Sequence, residues 1–143
     1  MSKIVAQNKK ARFDYEILET TEGGLVLTGD EIKSIRAGRA NLTGSYVKIL
    51  GNEAWLINLN LTVAKNPTRS RKVLLHRTEI NRFVGKTAEK GLTLVPLNLF
   101  IKHGYAKIEI GVGRGKKTHD KRESQKKSDI EREIKVELKS KTR

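Results

Sequence analysis

The chain has 143 residues, no cysteine, and a net charge of +14 from 30 basic and 16 acidic residues. Without cysteine there is no disulfide, thiolate nucleophile or cysteine-bound zinc; the longest hydrophobic run, the four residues 54–57, is far short of a membrane span. The charge favours a polyanionic partner, nucleic acid ahead of an acidic membrane surface.

Residues 1–12 read as a polar arm that lacks the apolar core of a secretory signal and ends in the basic cluster Lys9, Lys10 and Arg12. A first strand is expected over 13–18, then a turn at Gly23-Gly24. Residues 25–28 lead into a short helix over about 30–37, with Ile32 and Ile35 on one face, Asp30 as a cap and Gly38 as the stop. Strands 45–50 and 53–60 flank Gly51-Asn52, a hairpin turn pair. Residues 64–72 read as a loop holding Pro67 and basic side chains, among them Arg69, Arg71 and Lys72. A second helix is expected over about 76–90, with Ile80, Phe83, Val84 and Thr87 buried, Arg82, Lys86 and Lys90 as a cationic stripe opposite, and Gly91 past its end. Strands 92–102 and 105–113 pair across His103-Gly104; in the second, Ala106, Ile108, Ile110 and Val112 face one way and Tyr105, Lys107 and Glu109 the other.

These elements predict a mainly β fold with two short helices, an antiparallel oligonucleotide-binding (OB-like) barrel over residues 1–113. The body carries 18 basic and 10 acidic residues, or +8; residues 114–143 carry 12 and 6, or +6, with only four aliphatic side chains. So few apolar groups do not order thirty residues alone, and this basic tail is expected to be disordered when free. It holds a latent helix: Ser128-Asp129-Ile130-Glu131 matches a capping box, and Ile130, Ile134 and Leu138 recur every four residues.

Catalysis finds no support. The histidines His76, His103 and His119 have no close-spaced partner, Asp30 and Glu31 are adjacent helix positions pointing in different directions, and the glycine-rich 111–115 run precedes no periodic helix. Neither a cofactor nor a metal is expected. The seven aromatics sit mostly in core-like patterns, which favours backbone and shape recognition of folded RNA over stacking on single strands. A ribosomal or single-strand-binding OB protein with a basic tail is the alternative binding module, and an RNA-processing enzyme the rival class.

Residues 8–15, 27–36, 38–42, 69–76, 89–97 and 115–122 closely resemble, in order, the SsrA-binding protein (small protein B) family of bacterial trans-translation, and the resemblance runs over nearly the whole chain. It implies a cytoplasmic, non-enzymatic RNA-binding protein that grips the tRNA-like domain of tmRNA. That RNA would be brought, with elongation factor Tu, to ribosomes stalled without a codon. RNA-contact positions carry over to Asn8, Glu22 and Leu74, beside the basic residues Lys9, Lys10, Arg12, Arg71 and Lys72. Tail positions Gly115, Lys116, Lys117, His119, Asp120, Lys121 and Arg122 would enter the decoding centre and messenger channel, where the helix around Ile134 would form. Two departures stand out: residues 61–66 are shorter than the usual family loop, and Phe13 stands where many relatives have His.

Overall fold

A computed structural model describes residues 2–89 and 91–116. Its centre is a hairpin of β8 (Leu92–Lys102) and β9 (Tyr105–Gly115), with Lys102 opposite Tyr105. His103 and Gly104 join them with φ of 53° and 79°, the left-handed pair that matches the twist of antiparallel strands. Along β9 the expected alternation holds: Ile108, Ile110 and Val112 are buried and Tyr105 is exposed. The strand runs to Gly115 rather than Gly113, and the Lys116 N–H donates to the Asp14 carbonyl at 3.1 Å.

The amino-terminal segment corrects the expected arm. Residues Ser2–Gln7 form β1 on the outer edge of β8, and α1 spans Lys9–Asp14. Phe13, expected to open a strand, lies in α1. The strand starts at Tyr15, and this β2 (Tyr15–Leu25) pairs with β9 along most of its length. Gly23-Gly24 makes no turn. A Cβ on Gly23 would lie 2.7 Å from Val73 Cγ1 and 3.0 Å from the Leu74 carbonyl, so glycine there admits the next strand rather than reversing the chain.

The helix α2 (Gly29–Arg36) follows, ended by Gly38 at φ 72°. Ile35 is buried, but Ile32 is 37% exposed. After β3 (Ala40–Asn41), the hairpin of β4 (Tyr46–Leu50) and β5 (Glu53–Ile57) closes across Gly51-Asn52 as expected. The short β6 (Asn60–Leu61) pairs with β3. The expected basic loop ends sooner than predicted, because Arg71–Leu74 is a strand, β7, between β2 and β5. The helix α3 (Arg77–Ala88) buries Ile80 and Phe83. Val84 and Thr87 are exposed instead of buried: the helix packs on a narrow stripe, and the Thr87 hydroxyl turns back to the Phe83 carbonyl.

The result is mainly β and antiparallel throughout, with three short helices rather than two. The sheet order is β1-β8-β9-β2-β7-β5-β4, and the described residues show no β1–β4 pairing, so the rolled sheet is an open form of the expected barrel. The main core gathers Ile35, Leu56, Phe83, Leu99 and Ile110 with their neighbours inside the roll. A smaller cluster of Ala11, Val95 and Leu97 packs α1 on the other side of the sheet. There, Cβ atoms on Gly111 and Gly113 would meet Leu97 Cδ1 at 2.8 Å and Tyr15 Cβ at 2.9 Å. These glycines let large side chains cross the strand, which is what the glycine run does in place of cradling phosphate.

Candidate nucleic-acid interface

Strand alternation sorts the expected contact residues onto faces. Glu22 stands opposite Glu109 in the β2–β9 ladder, and Gly24, two residues on, stands opposite Leu74 in β7. Lys72 is two residues from Leu74 and therefore shares its face. One outer strip of the sheet thus carries Glu109, Glu22, Leu74 and Lys72. Arg12 joins it from α1 through an ion pair to Glu109 at 3.3 Å, and Asn98 donates to the same carboxylate at 2.9 Å.

Glu22 sits between Lys102 and Lys107, with Nζ to Oε1 distances of 3.3 and 3.5 Å. The hydrogen bond and charge of Lys102, reinforced by Lys107, hold its carboxyl below the usual carboxylate range. The three side chains are 42%, 39% and 29% exposed, so a ligand can reach the cluster. Leu74, 55% exposed, stands beside it as a bare aliphatic ridge. A polar groove of about 470 Å³, lined by Thr21, Glu22, His76 and Glu79, lies on one side of Leu74, and an apolar pocket on the other. His76 takes the expected place at the start of α3, where its backbone N–H donates to Glu79 at 2.9 Å. The Glu79 carboxyl is lowered despite burial, because Thr21 and His76 donate to it.

Arg71 does not belong to this surface. Its side chain is completely buried; Nε donates to Glu31 Oε2 at 2.5 Å, Nη1 to the Leu59 carbonyl at 2.6 Å, and Nη2 to the carbonyls of Asn66 and Pro67. Those three carbonyls lie just before β6 and in the loop that follows it, so Arg71 pins that loop from inside and, fully buried, is out of reach of RNA. Arg69 bridges the same Glu31 carboxylate at 2.6 Å from a part-exposed position, and the Thr28 N–H supplies another bond at 2.8 Å. Burial opposes the Glu31 charge, but the bonds from Arg69, Thr28 and Arg71 hold its carboxyl at about 2. Asp30, as expected, points elsewhere. It is not the helix cap, which is Thr28; it accepts from the Thr28 hydroxyl and the Lys65 N–H and is also held at about 2.

Asn8 is likewise buried. Its side chain accepts from the Ala11 N–H at 3.2 Å and donates to the Pro96 carbonyl at 2.9 Å, capping α1 and fastening it to β8. It sets the position of Lys9, Lys10 and Arg12, which α1 carries on its exposed side. Lys72 pairs with Glu53 at 3.3 Å. On α3, Arg82 pairs with Glu19 at 3.5 Å and lies over the Phe83 ring. Gly115 closes β9 and Lys116 follows it. Lys90, Lys117, His119, Asp120, Lys121, Arg122, Ile134 and the expected tail helix lie outside the described residues. Sequence reasoning missed Lys102, Glu109 and Glu31. The outward alternation of Lys107 and Glu109 was a usable signal, but their pairing with β2 depends on a register that the sequence does not state.

The family model described as SmpB protein matches residues 5–140. An SsrA-binding protein of Halalkalibacterium halodurans is 50% identical over 148 residues, spanning 99% of this chain and 96% of the relative. The chain belongs to the SmpB family. An SsrA-binding protein of Geobacillus thermodenitrificans is 53% identical, spanning 92% of this chain and 90% of its own. A solved chain described as "tmRNA-SmpB: a journey to the center of the bacterial ribosome" superposes with a TM-score of 0.67 at 44% identity, covering 82% of this chain and 92% of that one.

Proposed function

We propose that this protein binds the tRNA-like domain of tmRNA and delivers it to stalled ribosomes for trans-translation. The observation that carries the reading is the outer strip in a chain of this family: a carboxylate between two lysines, beside an exposed Leu74, on a strongly basic body. Lysines and arginines neutralise phosphates, whereas the Glu22 carboxylate accepts only from donors such as base amines and 2′-hydroxyls. A face that combines both suits a folded RNA of defined shape. Lys9, Lys10, Arg12 and Lys72 contribute phosphate contacts, Glu22 and Leu74 direct ones, and Asn8 and Arg71 act from inside by positioning their neighbours.

The segment beyond Lys116 is the ribosomal part of this reading. Gly115 and Lys116 lead out of β9, and Lys117, His119, Asp120, Lys121 and Arg122 continue into the decoding centre and messenger channel. The capping box and the Ile130, Ile134, Leu138 spacing form the helix there. Delivery with elongation factor Tu and a cytoplasmic setting complete the proposal; the role is one of binding, not catalysis.

The test pairs affinity with tagging. The full chain should bind the tRNA-like domain far more tightly than an unstructured RNA of equal length, with affinity falling steeply as salt rises. Ile134→Pro costs a helix about 3 kcal/mol; it should retain that affinity and lose tagging of stalled chains. Equal affinity for the two RNAs would overturn the RNA assignment, and normal tagging by Ile134→Pro would overturn the tail mechanism.

A further inference from the structure

We infer that the apolar pocket beside Leu74 receives one unstacked nucleobase of the bound RNA, with Tyr105 as its stacking platform. The inference rests on the RNA-binding reading and adds a site to it.

The pocket holds about 380 Å³, at the rim where α2, the end of β2 and the β8–β9 turn converge. Its floor is aliphatic: Leu25, Leu27, Ile35 and Ile101, with Ile32 on the α2 side. None of these side chains closes the mouth. Leu74 is 55% and Tyr105 72% exposed, two large apolar groups left in water on the lining of one pocket. The reason Tyr105 is there is local. The left-handed His103-Gly104 turn ends the strand pairing at Lys102–Tyr105, so the ring stands at the lip of the sheet, largely exposed among the described residues.

What the pocket fits follows from its surroundings. The other polar side chains of its lining are Arg36 and Lys107, both cationic. Lys107 also pairs with Glu22 and lines the polar groove beyond Leu74, so the pocket continues the strip already described. A flat apolar group flanked by negative charge meets this arrangement, and a base splayed from an RNA loop supplies both: a π-face for the aromatic ring and phosphates for the two cations. An apolar peptide segment would fill the floor but bring no negative charge to Arg36 or to Lys107, which shares Glu22 with Lys102.

The experiment measures binding of the full chain to the tRNA-like domain of tmRNA by anisotropy, with chemical probing of the RNA's unpaired bases. Tyr105 is exposed, so its replacement leaves the core untouched. Tyr105→Ala should weaken binding by about ten-fold or more, the range of a lost base–aromatic stack. Its salt slope should equal that of the parent, since no phosphate contact is removed. Tyr105→Phe should bind like the parent. Ile32→Trp, which fills the pocket from the α2 side with Tyr105 intact, should weaken binding comparably. One loop base should be protected by the parent chain and reactive with Tyr105→Ala. Parent-like binding by Tyr105→Ala would overturn the inference while leaving the RNA-binding reading in place. A loss in Tyr105→Phe as large as in Tyr105→Ala would assign the contact to the hydroxyl and also overturn it. Parent-like binding by Ile32→Trp would place the ring's partner outside the pocket, and absence of binding by the parent chain would remove both readings.

Discussion

Glu31 and Glu22 each lie between two cations, but one is 2% exposed and the other 42%. Around Glu31, Arg71 is rigid, planar and fully enclosed, and every remaining guanidinium hydrogen bond goes to a loop carbonyl. Around Glu22, Lys102 and Lys107 are flexible stems with hydrated ammonium groups. Breaking a buried pair strands an uncompensated charge; breaking an exposed pair returns both groups to water. The same residue types therefore do different work. The Glu31 cluster fixes the loop between β6 and β7, and with it the strand that bears Lys72 and Leu74. The Glu22 cluster is exposed and loosely held, and under the proposed function an incoming RNA would replace one of its partners.

The largest expected effect lies in the buried cluster. Glu31→Gln or Arg71→Met should lower the unfolding free energy by about 3–5 kcal/mol in urea titrations. Removing Lys102 or Lys107 should change it by no more than about 0.5 kcal/mol. Similar losses in both sets would break the contrast.

Acid sharpens it further. The Glu31 carboxyl is held at about 2 against an ordinary value of 4.5. With the folded value depressed, the unfolded chain binds the extra proton, so this stabilisation is complete above 4.5 and fades as pH falls towards 2. Asp30 titrates in the same window, so the parent alone does not isolate Glu31. The stability gap between the parent and Glu31→Gln should be widest above pH 4.5 and shrink towards pH 2. A gap independent of pH would mean that packing, not charge, carries the cluster.

Adjacent positions give a smaller test. Gly23 faces the interior against Val73, and Gly23→Ala should cost about 1–3 kcal/mol through overpacking. Lys72, next to Arg71 but on the outer face, should tolerate alanine within about 0.5 kcal/mol. Lys72→Ala should instead reduce the salt slope of RNA binding by about one. An unchanged slope would remove Lys72 from the phosphate contacts.

How much of this was legible in the sequence follows the range of the interactions. The β8–β9 hairpin, the Gly51-Asn52 turn, the stop at Gly38 and the buried stripe of α3 through Phe83 are local, and alternation or turn chemistry reveals them. The resemblance marked Glu22 and Leu74. Arg71 and Asn8 were misplaced on the surface because burial of a polar side chain depends on partners 40 and 88 residues away, Glu31 and the Pro96 carbonyl. Gly23-Gly24 read as a turn for a related reason: a glycine needed for close approach looks the same in sequence as one needed for reversal. The β1 strand escaped notice because Ile4, Val5 and Ala6 are too few to show a period, and only the free edge of β8 makes them a strand.

The central claim is that the exposed carboxylate recognises RNA while the buried one holds the fold. The direct measurement is the affinity of full-length Glu22→Ala for the tRNA-like domain of tmRNA, taken beside its unfolding free energy. Removing a negative charge from a +14 protein should tighten binding to a polyanion if charge alone governs. The account predicts the opposite: stability within about 0.5 kcal/mol of the parent, and binding weaker by about 1–3 kcal/mol, because RNA donors lose their acceptor. Unchanged or tighter binding at unchanged stability would contradict it.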